Sequence, residues 1–203
     1  MTTWIQFLPA LKVIAQVVLC YLSADFLSGL FHWIQDSYGS PYRRFYGRFV
    51  VVPNLVHHRY PREMTKNNWW QSADISIAFS LIVLLVAFIF NFMTWHLVLT
   101  LAFLINANEF HKWSHQTKKE NSALVNFLQK ARLIQTREMH NKHHQGERNT
   151  NYCVMSNFVN PLLDKAQFWR RLEALIFIIT LKEPRDEDQY QHLVRDMRAA
   201  MQS

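Results

Sequence analysis

The sequence contains little glycine, proline or cysteine, and these shortages exclude several classes of protein. Four glycines and six prolines in 203 residues exclude collagen-like and low-complexity chains. Two cysteines, Cys20 and Cys153, are too few for a disulfide framework or a cysteine-based zinc fold. The chain also has no Gly-x-Gly-x-x-Gly motif of the kind that binds flavin or nicotinamide nucleotides. Any metal ion must therefore be held by histidine or carboxylate side chains.

Long apolar runs are abundant instead, with 50% hydrophobic and 18% charged residues in a length that suits one domain, residues 1–203. Residues 7–34 contain only Lys12 and Asp25 as charges, which suits one membrane crossing of about 20 residues. Residues 75–107 contain no charge and are too long for one crossing, so they predict a helical hairpin with its turn near residues 91–94. We therefore predict an all-α integral membrane protein with about three spans, near residues 7–34, 74–90 and 94–111.

Basic residues give the chain a net charge of +7, and their distribution predicts its orientation. All except Lys12 lie either between the first span and the hairpin or after the hairpin, and the hairpin turn has none. Because basic loops remain on the cytoplasmic side of a membrane, we predict an external N-terminus. Residues 35–73 and 112–203 would then form a cytoplasmic helical cap on the anionic leaflet. This location explains the positive charge without a nucleic-acid partner.

Within the predicted cap, residues 122–134 and 168–181 alternate apolar and charged positions with a helical period. They predict amphipathic helices, either at the membrane interface or in the core of a soluble lobe. The sequence becomes strongly polar after Lys182, which predicts a solvated tail.

Histidine is the most unusual component, because eight of the ten histidines fall into four clusters. In three clusters the histidines, or a histidine and an aspartate, are three or four residues apart, which places their side chains on one face of a helix. The predicted topology brings all four clusters to one depth on the cytoplasmic side, whereas His96 and His192 stand apart. The clustered residues are His32, His57, His58, His111, His115, His140, His143 and His144.

Eight converging imidazoles predict two metal ions with about four ligands each, since one zinc site needs only three or four ligands. Iron, copper and zinc all accept imidazole, and the absence of a nucleotide loop favours redox chemistry on a lipid over hydrolysis. Asp36, one turn after His32, either binds a metal ion or orients a ligand. Asp25, Asn108 and Glu109 are predicted to accept imidazole N–H groups and so to fix the rings.

The histidine clusters stand within neighbouring motifs that are specific as a set. These motifs are Ala24-Asp25-Phe26, Ser28-Gly29, His32-Trp33, His57-His58-x-x-Pro61 and Asn108-x-x-His111-Lys112-Trp113-Ser114-His115. Together they resemble the Kua/CarF family of plasmanylethanolamine desaturases, and the resemblance covers most of the chain. It implies that the eight histidines hold two iron ions, which use O2 and electrons to desaturate a membrane lipid and form the vinyl ether of a plasmalogen.

A plant branch of the same family acts on a palmitoyl chain of phosphatidylglycerol, and residues 149–156 resemble that branch at least as well. Two departures from the family pattern lie in the cap, at residues 145–148 and at Asn157. Hydroxylation of a lipid and a non-enzymatic metal-binding membrane protein are the alternatives to desaturation. The enzyme interpretation implies an external electron donor, cytochrome b5-like or ferredoxin-like, because the chain has no redox cofactor motif. The membrane would be the inner membrane in a bacterium or the endoplasmic reticulum in a eukaryote.

Overall fold

The computed structural model describes residues 7–145 and 148–202, and helices are the only regular secondary structure in those residues. The predicted all-α fold is therefore confirmed. Of the departure at residues 145–148, Gly146 and Glu147 lie outside the described residues. The helices are α1 (Leu8–Ser37), α2 (Val52–Arg59), α3 (Trp69–Ile89), α4 (Trp95–Ile105), α5 (Ala107–His115), α6 (Ala123–Lys130), α7 (Arg137–Asn141), α8 (Val159–Lys165), α9 (Phe168–Thr180) and α10 (Gln191–Gln202).

Two helices, α1 and α3, are long and apolar enough to cross a membrane. Only 28% and 22% of their most apolar windows are buried inside the protein, whereas the core helix of a soluble protein is mostly buried. Leu19 of α1 is 62% exposed and Phe88 of α3 is 73% exposed. Exposure of such large apolar faces to water would cost free energy, so these faces favour contact with lipid.

The hairpin turn lies where the sequence predicts it, between the end of α3 at Ile89 and the start of α4 at Trp95. The side chain of Thr94 begins α4 by accepting a hydrogen bond from the N–H of Leu97. The region predicted as the third span is divided at Asn106 into α4 and α5, and α4 packs along α1. A third span and a cytoplasmic cap remain predictions.

A non-helical segment, residues 151–156, runs along α1 and contacts it from His32 back to Asp25. Both carboxylate oxygens of the fully buried Asp25 bind this segment. Asp25 accepts hydrogen bonds from the backbone N–H of Met155 at 2.8 Å and from that of Ser156 at 3.1 Å. A charge in the apolar part of α1 is thereby satisfied by fixed donors, as a buried carboxylate requires.

Cys153 lies at the closest approach of this segment to α1. A Cβ atom added at Gly29 of α1 would lie 2.5 Å from Cys153 Sγ and 3.0 Å from its backbone nitrogen. On the other side, the side-chain amides of Gln135 and Asn160 each donate a hydrogen bond of 2.7 Å to the carbonyl of Cys153. The close contact between α1 and residues 151–156 therefore requires glycine at position 29, because no larger side chain fits there.

The prediction of a solvated tail after Lys182 was wrong, because α10 packs on α2. Val194 is only 4% exposed and lies in an apolar cluster with Val51, Val52 and Leu55. Three apolar residues of α10, Leu193, Val194 and Met197, contribute to this cluster at helical spacing. The polar composition of the tail concealed this narrow apolar face.

We predict that Gly29→Ala destabilises the protein, because the added methyl group displaces residues 151–156. Overpacking of this kind typically costs about 1–3 kcal/mol. The measurement is thermal unfolding in detergent. Gly29→Ala combined with Cys153→Ala should recover part of the loss, since it removes the nearest atom but leaves the backbone nitrogen. Equal stability of Gly29→Ala and wild type would contradict the close approach.

Candidate metal centre

Four parts of the chain bring the nine predicted metal ligands together. Helix α1 contributes His32 and Asp36, α2 contributes two adjacent histidines, and α5 contributes two histidines one turn apart. The remaining three come from α7 and the turn after it. Eight of the nine residues are buried, and the ninth is partly buried. The distant histidines, His96 and His192, do not join them.

These residues form two adjacent groups, and each group could hold a metal ion. Within each group, one ligand atom from every residue lies within 4.8 Å of the others. The five-histidine group consists of His57, His111, His115, His140 and His144. The aspartate group consists of His32, Asp36, His58 and His143. The groups must be neighbours, because each of the sequence pairs 57–58 and 143–144 contributes one residue to each group.

The arrangement of the ring nitrogens suits metal coordination better than hydrogen bonding between the rings. Nε2 of His140 lies 2.9 Å from Nε2 of His111 and 3.0 Å from Nε2 of His144. One such nitrogen carries at most one proton, so it cannot satisfy several lone pairs that converge on it. Both ring nitrogens of His57 and Nε2 of His115 are buried without a hydrogen-bond partner in the described part of the chain. Metal coordination would satisfy one nitrogen of each ring, since each imidazole offers one ligand atom to its group.

Burial also keeps these imidazoles in the neutral form that binds metals. Desolvation, reinforced by the neighbouring imidazoles, holds the pKa of His57 and of His140 well below the usual range. Desolvation, with a contribution from the charge of Arg137, lowers the pKa of His115 to about 3. At neutral pH these histidines offer lone pairs rather than positive charge.

Asp36 lies inside the aspartate group, where its carboxylate could bind a metal ion. Its Oδ2 lies 3.4 Å from Nε2 of His143 and 3.6 Å from Nε2 of His32. Its Oδ1 accepts a hydrogen bond of 2.5 Å from the side-chain amide of Asn54, which fixes the carboxylate. Asn54 was not among the residues predicted for the site. Its position three residues before His57 on α2 was the available signal, because that spacing places both side chains on one helical face.

Two backbone carbonyls fix the rings of the aspartate group. His32 Nδ1 lies 3.1 Å from the carbonyl oxygen of Tyr152, and His143 Nδ1 lies 2.7 Å from that of Thr150. With Nδ1 acting as the donor, Nε2 is left free for a metal ion. These partners have no sequence signal, since every residue carries a carbonyl. Asp25 was predicted to bind an imidazole; it instead anchors the segment that presents the carbonyl of Tyr152.

The other two predicted ring-orienting residues bind elsewhere as well. The side-chain amide of Asn108 donates a hydrogen bond of 2.8 Å to the carbonyl of Ser72, which joins α5 to α3. Glu109 forms a buried ion pair of 2.5 Å with Lys112. Both residues thus position α5, the helix of His111, and the prediction that they accept imidazole N–H groups was wrong.

A cavity of about 390 Å³ lies beside the metal centre, between α1, α2, α3 and α5. Its wall includes one histidine of the aspartate group, His32, and two of the five-histidine group, His57 and His111. Apolar side chains form much of the remaining wall, among them Phe31, Phe79, Leu104 and Val154. One cavity therefore contacts both groups, and its volume lies in the range of small-molecule sites, about 300–1,000 Å³.

Fold and site together define a helical protein that has apolar membrane-type helices and a paired histidine-rich site able to hold metal ions. The family model of the lipid desaturase domain matches residues 21–187, and the chain belongs to this family. The match includes all nine candidate ligands. The resemblance found in the sequence is therefore confirmed.

Relatives of known name are similar over most of this chain. A probable fatty acid desaturase of Acanthamoeba polyphaga mimivirus is 30% identical over 85% of this chain and 86% of its own length. Fatty acid desaturase 4-like 1, a chloroplastic protein of Arabidopsis thaliana, is 35% identical over 86% of this chain and 58% of its own length. The plasmanylethanolamine desaturase of Myxococcus xanthus is 31% identical over 87% of this chain and 64% of its own length. No solved structure gives a significant match.

Metal binding should stabilise the folded protein, because the two sites do not exist in the unfolded chain. One metal ion at about 100 times its dissociation constant contributes about 2.7 kcal/mol. We expect Asp36→Ala to lose about half of the thermal stabilisation that ferrous iron confers on the wild type, because only the aspartate group is disrupted. Thermal unfolding with and without iron, under anaerobic conditions, measures this effect.

His96→Ala is the matched control, because it removes a histidine that lies outside both groups. It should keep the full iron-dependent shift. An unchanged shift in Asp36→Ala would contradict the assignment of this carboxylate as a ligand.

Proposed function

We propose that this protein is an O2-dependent membrane lipid desaturase with a histidine-ligated di-iron centre. One observation carries the proposal: two adjacent groups of buried ligands border the same largely apolar cavity. A cavity of this kind suits a hydrocarbon chain and presents it to both metal positions. The names of the relatives, which are desaturases, support the same reaction.

All nine candidate ligands serve as metal ligands in this proposal. Bound iron would supply the activation of O2 that removal of hydrogen from an unactivated chain requires. Desaturation takes two hydrogens and two electrons from adjacent carbons, whereas reduction of O2 to two waters takes four electrons. Two electrons must therefore come from a separate donor.

The protein's part is to hold and orient the chain and to keep water away. Phe31 of α1 and Phe79 of α3 pack edge to face, with ring centroids 4.8 Å apart, and both line the cavity. Leu104 and Val154 add apolar wall, and each is at most 4% exposed. On the opposite side, His32 and His111 hold the metal ions close to the chain.

We infer that the substrate is plasmanylethanolamine and that its alkyl chain becomes a vinyl ether. The support is the motif set and the relative from Myxococcus xanthus named for this lipid. Desaturation of an acyl chain is the second candidate, favoured by the viral and plant relatives named as fatty acid desaturases. The two substrates differ at one linkage, an ether or an ester, next to the same kind of chain.

In this proposal the protein lies in a membrane and its metal centre is on the cytoplasmic side. A cytochrome b5-like or ferredoxin-like protein supplies the electrons. Two apolar helices and the positive charge of the loops support the placement. A basic surface also suits an acidic donor, since opposite charges accelerate and orient association.

The test is reaction of the iron-loaded protein with an electron donor and two lipids, 1-O-alkyl and diacyl phosphatidylethanolamine. Mass spectrometry of the products should show loss of two hydrogens from the alkyl lipid. Loss from the diacyl lipid alone would support the second candidate. Addition of an oxygen atom would identify a hydroxylase, and no product with either lipid in the presence of bound iron would contradict the proposal.

We predict that His57→Ala and His143→Ala each lower desaturation by at least about 100-fold, because each removes a proposed ligand from a different group, and loss of a partner that only orients a ligand already costs about 10–100-fold. His192→Ala is the control and should retain activity. Membrane yield and thermal stability of each variant must be measured alongside. Activity in either ligand variant comparable to wild type would exclude that histidine from the metal centre.

A further inference from the structure

The cavity opens to the surface beside the π-helical turn Gly47–Val51, which precedes α2. Most residues that line the cavity are covered, but Tyr46 and Phe49 near this turn are 39% and 54% exposed. Across from them, Ile34 of α1 and Ile75 of α3 are 37% and 40% exposed. Exposed lining residues mark the place where a cavity meets the surface, so these four side chains, with Pro53, Gln71 and Asp74, surround its mouth.

Two arginines are neighbours in the sequence of lining residues beside the π-helical turn: Arg44 precedes Tyr46 by two residues, and Arg48 directly precedes Phe49. The guanidinium carbon of Arg48 lies 5.4 Å from the ring centroid of Phe49, which itself lines the mouth. Arg44, one helical turn earlier, lies 5.4 Å from the ring of Phe45 in the same way. Both arginines are exposed. Neither forms an ion pair with a carboxylate in the described residues, so both guanidinium groups are available to an anion.

The opposite side of the mouth carries the other sign of charge. Asp74 of α3 is exposed and lines the cavity, and its carboxylate accepts a hydrogen bond from the N–H of Ile75. A phosphate would be repelled there and attracted to the guanidinium groups. The charges near the mouth are therefore arranged asymmetrically, with two arginines beside the π-helical turn and the carboxylate of Asp74 on α3.

We propose that Arg48, assisted by Arg44, binds the phosphate of the phospholipid whose chain occupies the cavity. This inference rests on the proposed function, which it deepens by naming the residues that recognise the head group. Guanidinium presents paired N–H donors that match phosphate oxygens, and stacking on Phe49 restricts its orientation. The aromatic rings at the mouth pack on the glycerol region, while the chain continues inward to His32 and His111.

This site differs from general attraction to an anionic leaflet, because its phosphate belongs to the lipid in the cavity. Binding is therefore measured in uncharged detergent, where no anionic leaflet exists. The probes are 1-O-alkyl-2-acyl phosphatidylethanolamine and 1-O-alkyl-2-acyl-glycerol, which lacks the phosphate. Native mass spectrometry of the iron-loaded protein, kept anaerobic and without an electron donor, reports binding, and KM and kcat of the same protein with O2 and donor report turnover.

Arg44→Ala with Arg48→Ala should bind the phospholipid about tenfold more weakly than wild type, the scale expected for loss of charge-assisted hydrogen bonds. KM should rise by a similar factor with little change in kcat. Binding of the lipid without phosphate should be unchanged. Arg48→Lys should lose less affinity, because it keeps the charge but not the paired donors.

The matched control replaces Arg170 and Arg171, two exposed adjacent arginines on α9 that do not line the cavity. It should leave phospholipid affinity unchanged. Equal affinity in the Arg44 and Arg48 variant, or an equal loss in the α9 control, would overturn the proposal. If wild type desaturates the lipid in those cases, this inference alone fails. If wild type neither binds nor desaturates any phospholipid, the proposed function fails with it.

Discussion

Removal of nine polar ligand side chains from water is the constraint on which the rest of this structure depends. An imidazole or carboxylate buried without partners costs several kcal/mol, so the protein must supply partners for each one. Backbone carbonyls form hydrogen bonds with His32 and His143, and the side-chain amide of Asn54 donates one to Asp36. In each of the two groups, one nitrogen of every ring lies close to the other ligand atoms, and metal coordination would satisfy these nitrogens together. The helices, the segment of residues 151–156 and the packing of α10 all hold this set in place.

The candidate metal centre borders the cavity on one side only. His32, His57 and His111 border the cavity, whereas the three histidines of α7 and its following turn do not. Of the nine candidate ligands, only His144 is more than slightly exposed. In the proposed function, the lipid chain would therefore approach the centre from the side of α1 and α3.

The sequence predicts the features that depend on periodicity. Clustering of histidines predicted the nine residues that the structure brings together, and long apolar runs predicted α1, α3 and the turn before Trp95. The sequence does not predict features that depend on tertiary contact. The carbonyl of Tyr152 has no distinctive side-chain signal, and the division into five and four ligands requires the distances between helices. In the sequence Asp25 and Glu109 resemble residues that orient imidazole rings. In the fold Asp25 binds the backbone of residues 155 and 156, and Glu109 pairs with Lys112.

The most direct test of the central claim is the iron content of the wild-type protein, purified in detergent and reconstituted anaerobically with ferrous iron. Elemental analysis should give about two irons per chain, one for each group of ligands. A value near one would contradict the paired centre. No bound iron after reconstitution would contradict the account of the buried histidines as a redox metal site.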